Sequence, residues 1–130
     1  MTTKKLGRQT VALSYPPSLL SFANVVGKKE GDGPLSSCFD YIDGDDTFGA
    51  STWEKSERAM QQKALTLALE KAGAEAAQLD WLFAGDLLNQ CVSSSFAARE
   101  QQCPFFGLYG ACSTMGEGLA LAAMTLDGGF

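Results

Sequence analysis

The chain contains no histidine. That absence excludes every His-ligated zinc site and every Cys-His or Ser-His catalytic pair built from this chain alone. Cysteine is sparse, at Cys38, Cys91, Cys103 and Cys112, and no two form a Cys-x-x-Cys pair. The N-terminus is basic, but no apolar run of signal-peptide length follows it. Free thiols in a reducing compartment are therefore expected. Positive charge is scarce: ten Lys and Arg stand against fifteen Asp and Glu, a net charge of −5, with no basic patch. A nucleic-acid backbone is thus an improbable partner. Long hydrophobic runs are missing too. The apolar stretch Leu119–Met124 falls far short of the ~20 residues that span a bilayer. The chain reads as neither secreted nor integral to a membrane, although it can sit on one through a partner. No Gly-Lys-Ser or Gly-Lys-Thr occurs, so the glycines form no phosphate-binding loop.

What is present is globular. Hydrophobic residues make up 45% of the 130 and charged residues 19%, enough for one core and too apolar for wholesale disorder. Gln9–Leu13 is β-prone and ends at Pro16-Pro17, which predicts a first strand. Residues 18–50 are rich in Gly, Ser and Asp and lack periodicity. They read as a long excursion with a short helix near Leu19–Val26. A helix is expected after Ala50, with Ser51 and Glu54 at capping-box spacing and Gly73 as its stop. Trp81–Ala84 predicts a strand buried on both faces. Cys91–Glu100 reads as a short helix, Phe105–Leu108 as a second buried strand, and Ser113–Asp127 as a last helix ended by Gly128-Gly129. Alternation of this kind implies parallel strands joined by helical crossovers, an α/β fold.

The last helix is apolar on nearly every side, with Glu117 the one charge between Ser113 and Leu126. Such a helix is expected to be buried all round. Gly116 and Gly118 each lower helix propensity by about 1 kcal/mol, which makes sense where another element packs closely. Three strands and two other helices cannot enclose it. A further layer is expected, from the rest of a longer protein or from a partner.

Two segments could carry chemistry. In Tyr109–Gly116, Cys112 lies between a predicted strand and helix, where the helix dipole favours a thiolate or a bound anion. The layout parallels the nucleophile elbow of other α/β enzymes. The plainer reading, preferred from residues alone, is a small side chain in a tight turn. In Gly85–Gln90, Asp86 follows a strand, and parallel α/β folds hold ligands beyond strand carboxyl ends. Asn89 and Gln90 add amides. Asp86 serves equally as a cap for the next helix, and both roles are compatible. Asp43-Gly-Asp-Asp46 is not an EF-hand, because Phe48 occupies the obligatory glycine position; a solvated acidic turn is expected. Tyr15, Phe22, Phe39 and Phe48 read as ordinary packing.

At the Cys112 turn the pattern resembles the thiolase-like superfamily. The wider sequence is similar to one member, the stage V sporulation protein AD family. The resemblance covers nearly the whole chain. It is carried by Phe22-Ala-Asn-Val-Val-Gly27, Trp53-Glu-Lys55, Ala84-Gly-Asp-Leu-Leu-Asn-Gln-Cys91, Ser94-Ser-Phe-Ala-Ala-Arg99 and Pro104-Phe-Phe-Gly-Leu-Tyr-Gly-Ala-Cys-Ser-Thr-Met115. It implies a layered α/β/α/β/α fold in which residues 1–130 form an incomplete N-terminal portion, the last helix being one of the central ones.

The resemblance further implies a binding protein rather than a working thiolase. Its ligand would be dipicolinic acid (pyridine-2,6-dicarboxylate), taken up with calcium into the developing spore. Partners would be other proteins of the same operon, and a homodimer is compatible. The place implied is the cytoplasmic side of a spore or forespore membrane, held peripherally. By motif, the ligand falls to Asp86 and Cys112, with Ser113 and Asn89 as neighbours and no resident metal. Helix N–H groups at Cys112 and Ser113 are the expected carboxylate donors. An ionised Asp86 would repel a dianion, so a bridging calcium, a proton on Asp86 or an indirect role is required. Two other readings stand beside this one: an acyltransferase using Cys112 as nucleophile, and an assembly subunit without a ligand.

Overall fold

The computed structural model describes residues 4–130. The N-terminal β-prone run forms a smaller element than expected. β1 (Lys5–Leu6) and β2 (Thr10–Val11) pair antiparallel around Gly7, whose φ is +68°. Both strands of this two-stranded ribbon are exposed.

The short helix expected near Leu19–Val26 is absent; residues 16–24 carry neither helix nor strand. Tertiary hydrogen bonds tie this segment to the rest of the chain. Ser21 Oγ donates to the Ala68 carbonyl at 2.7 Å, and Lys71 Nζ to the Phe22 carbonyl at 3.1 Å. Asn24 and Asp40 exchange backbone-to-side-chain bonds at 3.0 and 2.8 Å. They align β3 (Val25–Val26) with β4 (Tyr41–Ile42) as a parallel pair, with the short α1 (Lys28–Gly31) between them. The excursion thus contains a parallel pair that periodicity does not reveal. Its acidic turn is as expected: Asp45 accepts from the Thr47 hydroxyl at 2.6 Å and from the Thr47 and Gly49 amides.

α2 spans Trp53–Ala72. Its N-cap is Thr52, whose hydroxyl accepts from the Lys55 amide at 3.3 Å, not Ser51. The capping box fails because the third position after Thr52 is a lysine, which has no acceptor to reach back with. Gly73 ends the helix with φ +63°, as its freedom from a Cβ allows.

β5 (Leu82–Ala84), α3 (Val92–Gln101) and β6 (Phe105–Gly107) form a β-α-β unit. The strands are parallel, with Phe83 opposite Phe106. The Leu82 amide donates to the Pro104 carbonyl and the Leu108 amide to that of Ala84, both at 2.8 Å. The strands are only half-buried or exposed, not buried on both faces. The Phe83 and Phe106 rings stack at a centroid distance of 5.1 Å, and Trp81 tilts against Phe106 at 5.2 Å. α3 packs on α2, and its Ala97 and Ala98 are buried. These alanines and Leu108 are the buried apolar residues of the described chain.

α4 (Thr114–Gly128) lies on β5 and stops at Gly129, φ +87°. Gly118 makes the close approach expected of it: a Cβ there would meet Leu108 Cδ1 at 3.3 Å. Gly116 has nothing within 4 Å. The expected all-round burial is not found. Met115, Leu119, Met124 and Leu126 are each more than half exposed, because among the described residues no further layer covers them. The class is α/β with short parallel strand pairs, as the alternation implied.

Candidate functional site

β5 and β6 are adjacent and parallel, so the segments that leave their carboxyl ends emerge at one edge of the sheet. The first begins with Gly85, where a Cβ would fall on the Leu108 carbonyl oxygen. Only glycine permits that approach. The loop then turns into α3 through Gln90 and Cys91, with φ of +49° and +68°. Left-handed backbone at two successive non-glycine residues is strained, about 1–2 kcal/mol each.

Side chains of α2 hold this loop. Glu57 Oε1 accepts from the Leu87 amide at 2.8 Å, and Glu54 Oε1 from Asn89 Nδ2 at 2.6 Å. Glu54 is held well inside its ionised range by its own amide, the Thr52 hydroxyl and the Asn89 amide. From the other side, Cys91 Sγ donates to the Leu108 carbonyl at 3.1 Å, tying the loop to the end of β6.

Asp86 is 8% exposed and turns inward. Its Oδ2 accepts from the Ser93 amide at 2.7 Å and its Oδ1 from the Ser94 amide at 2.9 Å. Both oxygens thus satisfy orphan N–H groups of the first turn of α3, where the helix dipole also favours a negative charge. The cap function weighed for Asp86 is present. Asp86 performs it from outside the helix, since Cys91 is the N-cap and makes no side-chain cap bond.

The second segment is the Cys112 turn. Ala111 has φ +44°, and Ala111–Ser113 form one turn of 3-10 helix leading into α4. Cys112 is exposed. The strained residue is Ala111 and not Cys112, whereas in a nucleophile elbow the nucleophile itself takes the strained turn. Ser113 is less free than expected. Its amide donates to the Gly110 carbonyl at 2.9 Å and its hydroxyl to the same oxygen at 2.7 Å. Both donors are engaged within the turn.

A cleft of about 570 Å³ opens beside these segments, between α2, α3, β5 and α4. Leu65, Phe83, Met115 and Leu119 give it apolar walls, and Ser94 and Thr114 add hydroxyls. Neither hydroxyl has a hydrogen-bond partner in the structure. Asp86 and Ser113 do not line the cleft, but each is one residue along the chain from a residue that does, Gly85 and Thr114.

The structure therefore places Asp86, Asn89, Cys112 and Ser113 at one sheet edge, with Asp86 committed to α3, Asn89 to Glu54 and Ser113 to Gly110. Only the Cys112 side chain is left exposed without such a commitment. Glu54, Glu57, Ser93 and Ser94 take part and escaped sequence reasoning. Asp86 meets Ser93 seven residues on, well beyond ordinary cap spacing, and the glutamates lie on a separate helix.

Among the described residues, no helix is long and apolar enough to cross a membrane. No three His, Cys, Asp or Glu side chains among them gather as a metal site.

A parallel β-α-β unit whose strand ends carry a cysteine turn leading into an uncovered apolar helix is a partial α/β domain, consistent with part of a thiolase-like fold. The chain belongs to the stage V sporulation protein AD (SpoVAD) family, whose model matches residues 7–130. It is 39% identical over 127 residues to stage V sporulation protein AD of Bacillus subtilis (strain 168), an overlap covering 98% of this chain. That overlap is 38% of the relative, so the chain spans well under half of its length. The resemblance read from the motifs is thereby borne out.

Proposed function

We propose that this chain contributes a dipicolinate-binding surface to a sporulation protein, with the ligand beside the Cys112 turn and not on the Asp86 carboxylate. Family membership supports the ligand. One observation supports the place: Asp86 spends both oxygens on α3 amides, while Cys112 lies exposed at the neighbouring strand end.

Dipicolinate is a flat dianion with apolar faces. One carboxylate meets the positive end of the 15-residue α4, with Ser113 releasing Gly110 to donate to it. The cleft walls take the ring. An inward Asp86 does not oppose the dianion; it positions the loop and α3. Calcium, where it takes part, arrives on the carboxylates of dipicolinate itself. Proteins of the same operon, a second copy of the chain and peripheral attachment to a spore membrane complete the reading.

The test is a calorimetric titration of dipicolinate, with and without calcium, into this chain and into the Bacillus subtilis relative in parallel. One-site saturable binding that weakens in Cys112→Ala supports the proposal. No heat with either protein, in either condition, moves the function to assembly. A mass shift of Cys112 with acyl-CoA donors would instead revive acyl transfer, for which this chain offers no histidine base.

A further inference from the structure

The cleft beside the Cys112 turn holds two polar atoms for which the fold has no use. Ser94 is 1% exposed; Asp86 takes its amide, and nothing among the described residues takes its hydroxyl. Thr114 opens α4, and its Oγ1 is buried and unpartnered in the same way. Both residues line the cleft. A buried hydroxyl without a partner is destabilising, so neither is explained by the packing of the free chain.

Thr114 stands where the two segments of the site meet. It follows Ser113 in the chain, and its Cγ2 lies 3.0 Å from where a Cβ on Gly85 would be. No charged side chain lines the cleft, and Gln61, the other polar one, donates to the Gly85 carbonyl at 3.4 Å. Uncharged donors among apolar walls suit an aromatic ligand with acceptors along one edge. Dipicolinate has three there, with the ring nitrogen between its two carboxylates.

We propose, resting on the dipicolinate reading above, that Thr114 donates to the ring nitrogen and Ser94 to the second carboxylate. The first carboxylate is the one at the start of α4, which brings the nitrogen beside it to the residue after Ser113. Rotation about χ1 turns each hydroxyl into the cleft, where the ligand satisfies a group that the free chain leaves unsatisfied. The pair makes the site specific for a pyridine dicarboxylate, because a site built to hydrogen-bond a ligand atom rejects the analogue that lacks it.

The test is calorimetric titration of the whole chain with dipicolinate and with isophthalate (benzene-1,3-dicarboxylate), which keeps both carboxylates and has C–H in place of the nitrogen. Wild type is expected to prefer dipicolinate about tenfold, the worth of one hydrogen bond. Thr114→Val should lose that preference by weakening dipicolinate alone, and Thr114→Ser should keep it. Ser94→Ala should weaken both ligands about tenfold. Urea midpoints of Thr114→Val and Ser94→Ala should not fall below wild type, since each removes an unsatisfied hydroxyl. Wild-type binding of dipicolinate that neither variant changes overturns the inference and leaves the proposed function standing. Equal wild-type affinity for the two ligands does the same, and so do lowered urea midpoints, which would show that the hydroxyls support the fold. No binding of dipicolinate to wild type overturns the proposed function and this inference with it.

Discussion

Asp86 Oδ2 lies 2.7 Å from the amide nitrogen of Ser93, a cap supplied to α3 by a residue outside the helix. This bond and its neighbour to Ser94 join the end of β5 to the start of α3, and so fix the loop that approaches the Cys112 turn.

Replacing Asp86 is therefore expected to be felt first in stability. Asp86→Ala leaves two buried amides unsatisfied and should lower the unfolding free energy by about 2 kcal/mol in urea titration. Asp86→Asn retains an acceptor and should lose less. An Asp86→Ala protein with wild-type stability would contradict the cap assignment.

The four thiols are expected to react in two groups. Cys112 and Cys38 are exposed and should be alkylated first by iodoacetamide. Cys91 is half-buried and bonded to the Leu108 carbonyl, and burial pushes the Cys103 thiol up, which reduces its thiolate at neutral pH. Peptide mass mapping over time checks this, and labelling of Cys91 or Cys103 ahead of Cys112 would contradict it.

Lys71 and the Asn24 amide hold the Asp40 carboxyl below its ordinary value of 3.8. A depressed carboxyl contributes stability above its unfolded value and loses it as pH falls through the folded value. Its contribution is therefore complete at neutral pH and disappears only in strong acid. In Lys71→Met the Asp40 titration, followed by carboxyl carbon NMR, should move up toward 3.8.

The outer face of α4 is expected to drive association. Met124→Gln with Leu126→Gln replaces two exposed apolar side chains, so stability should stay within about 0.5 kcal/mol of wild type. Self-association in size-exclusion chromatography should fall. Unchanged elution of a wild-type monomer would show that this face does not attract a second chain.

Much of the fold was legible because it is locally encoded. Gly73 and Gly129 end helices by adopting positive φ, which other residues resist. The 3.6-residue period of α2 and the uncharged runs at Leu82–Ala84 and Phe105–Gly107 announced helix and strands. The Cys112 turn was legible for the same reason, as a small-residue segment between two strong elements.

What the sequence by itself determined was thus the order of the main helices and strands from α2 onward, the α/β class, the family and the strand ends where a site belongs. Only the tertiary structure decided where the polar groups go. Pairing Asp86 with Ser93, Asn89 with Glu54 and Asp127 with the Ser14 amide joins residues seven to 113 positions apart. Such bonds depend on distances that exist only once the strands and helices have packed. For the same reason residues 16–24 are not helical: Ala68 binds the Ser21 hydroxyl, and Lys71 and Asp40 bind the backbone of Phe22 and Asn24, all from positions remote in sequence.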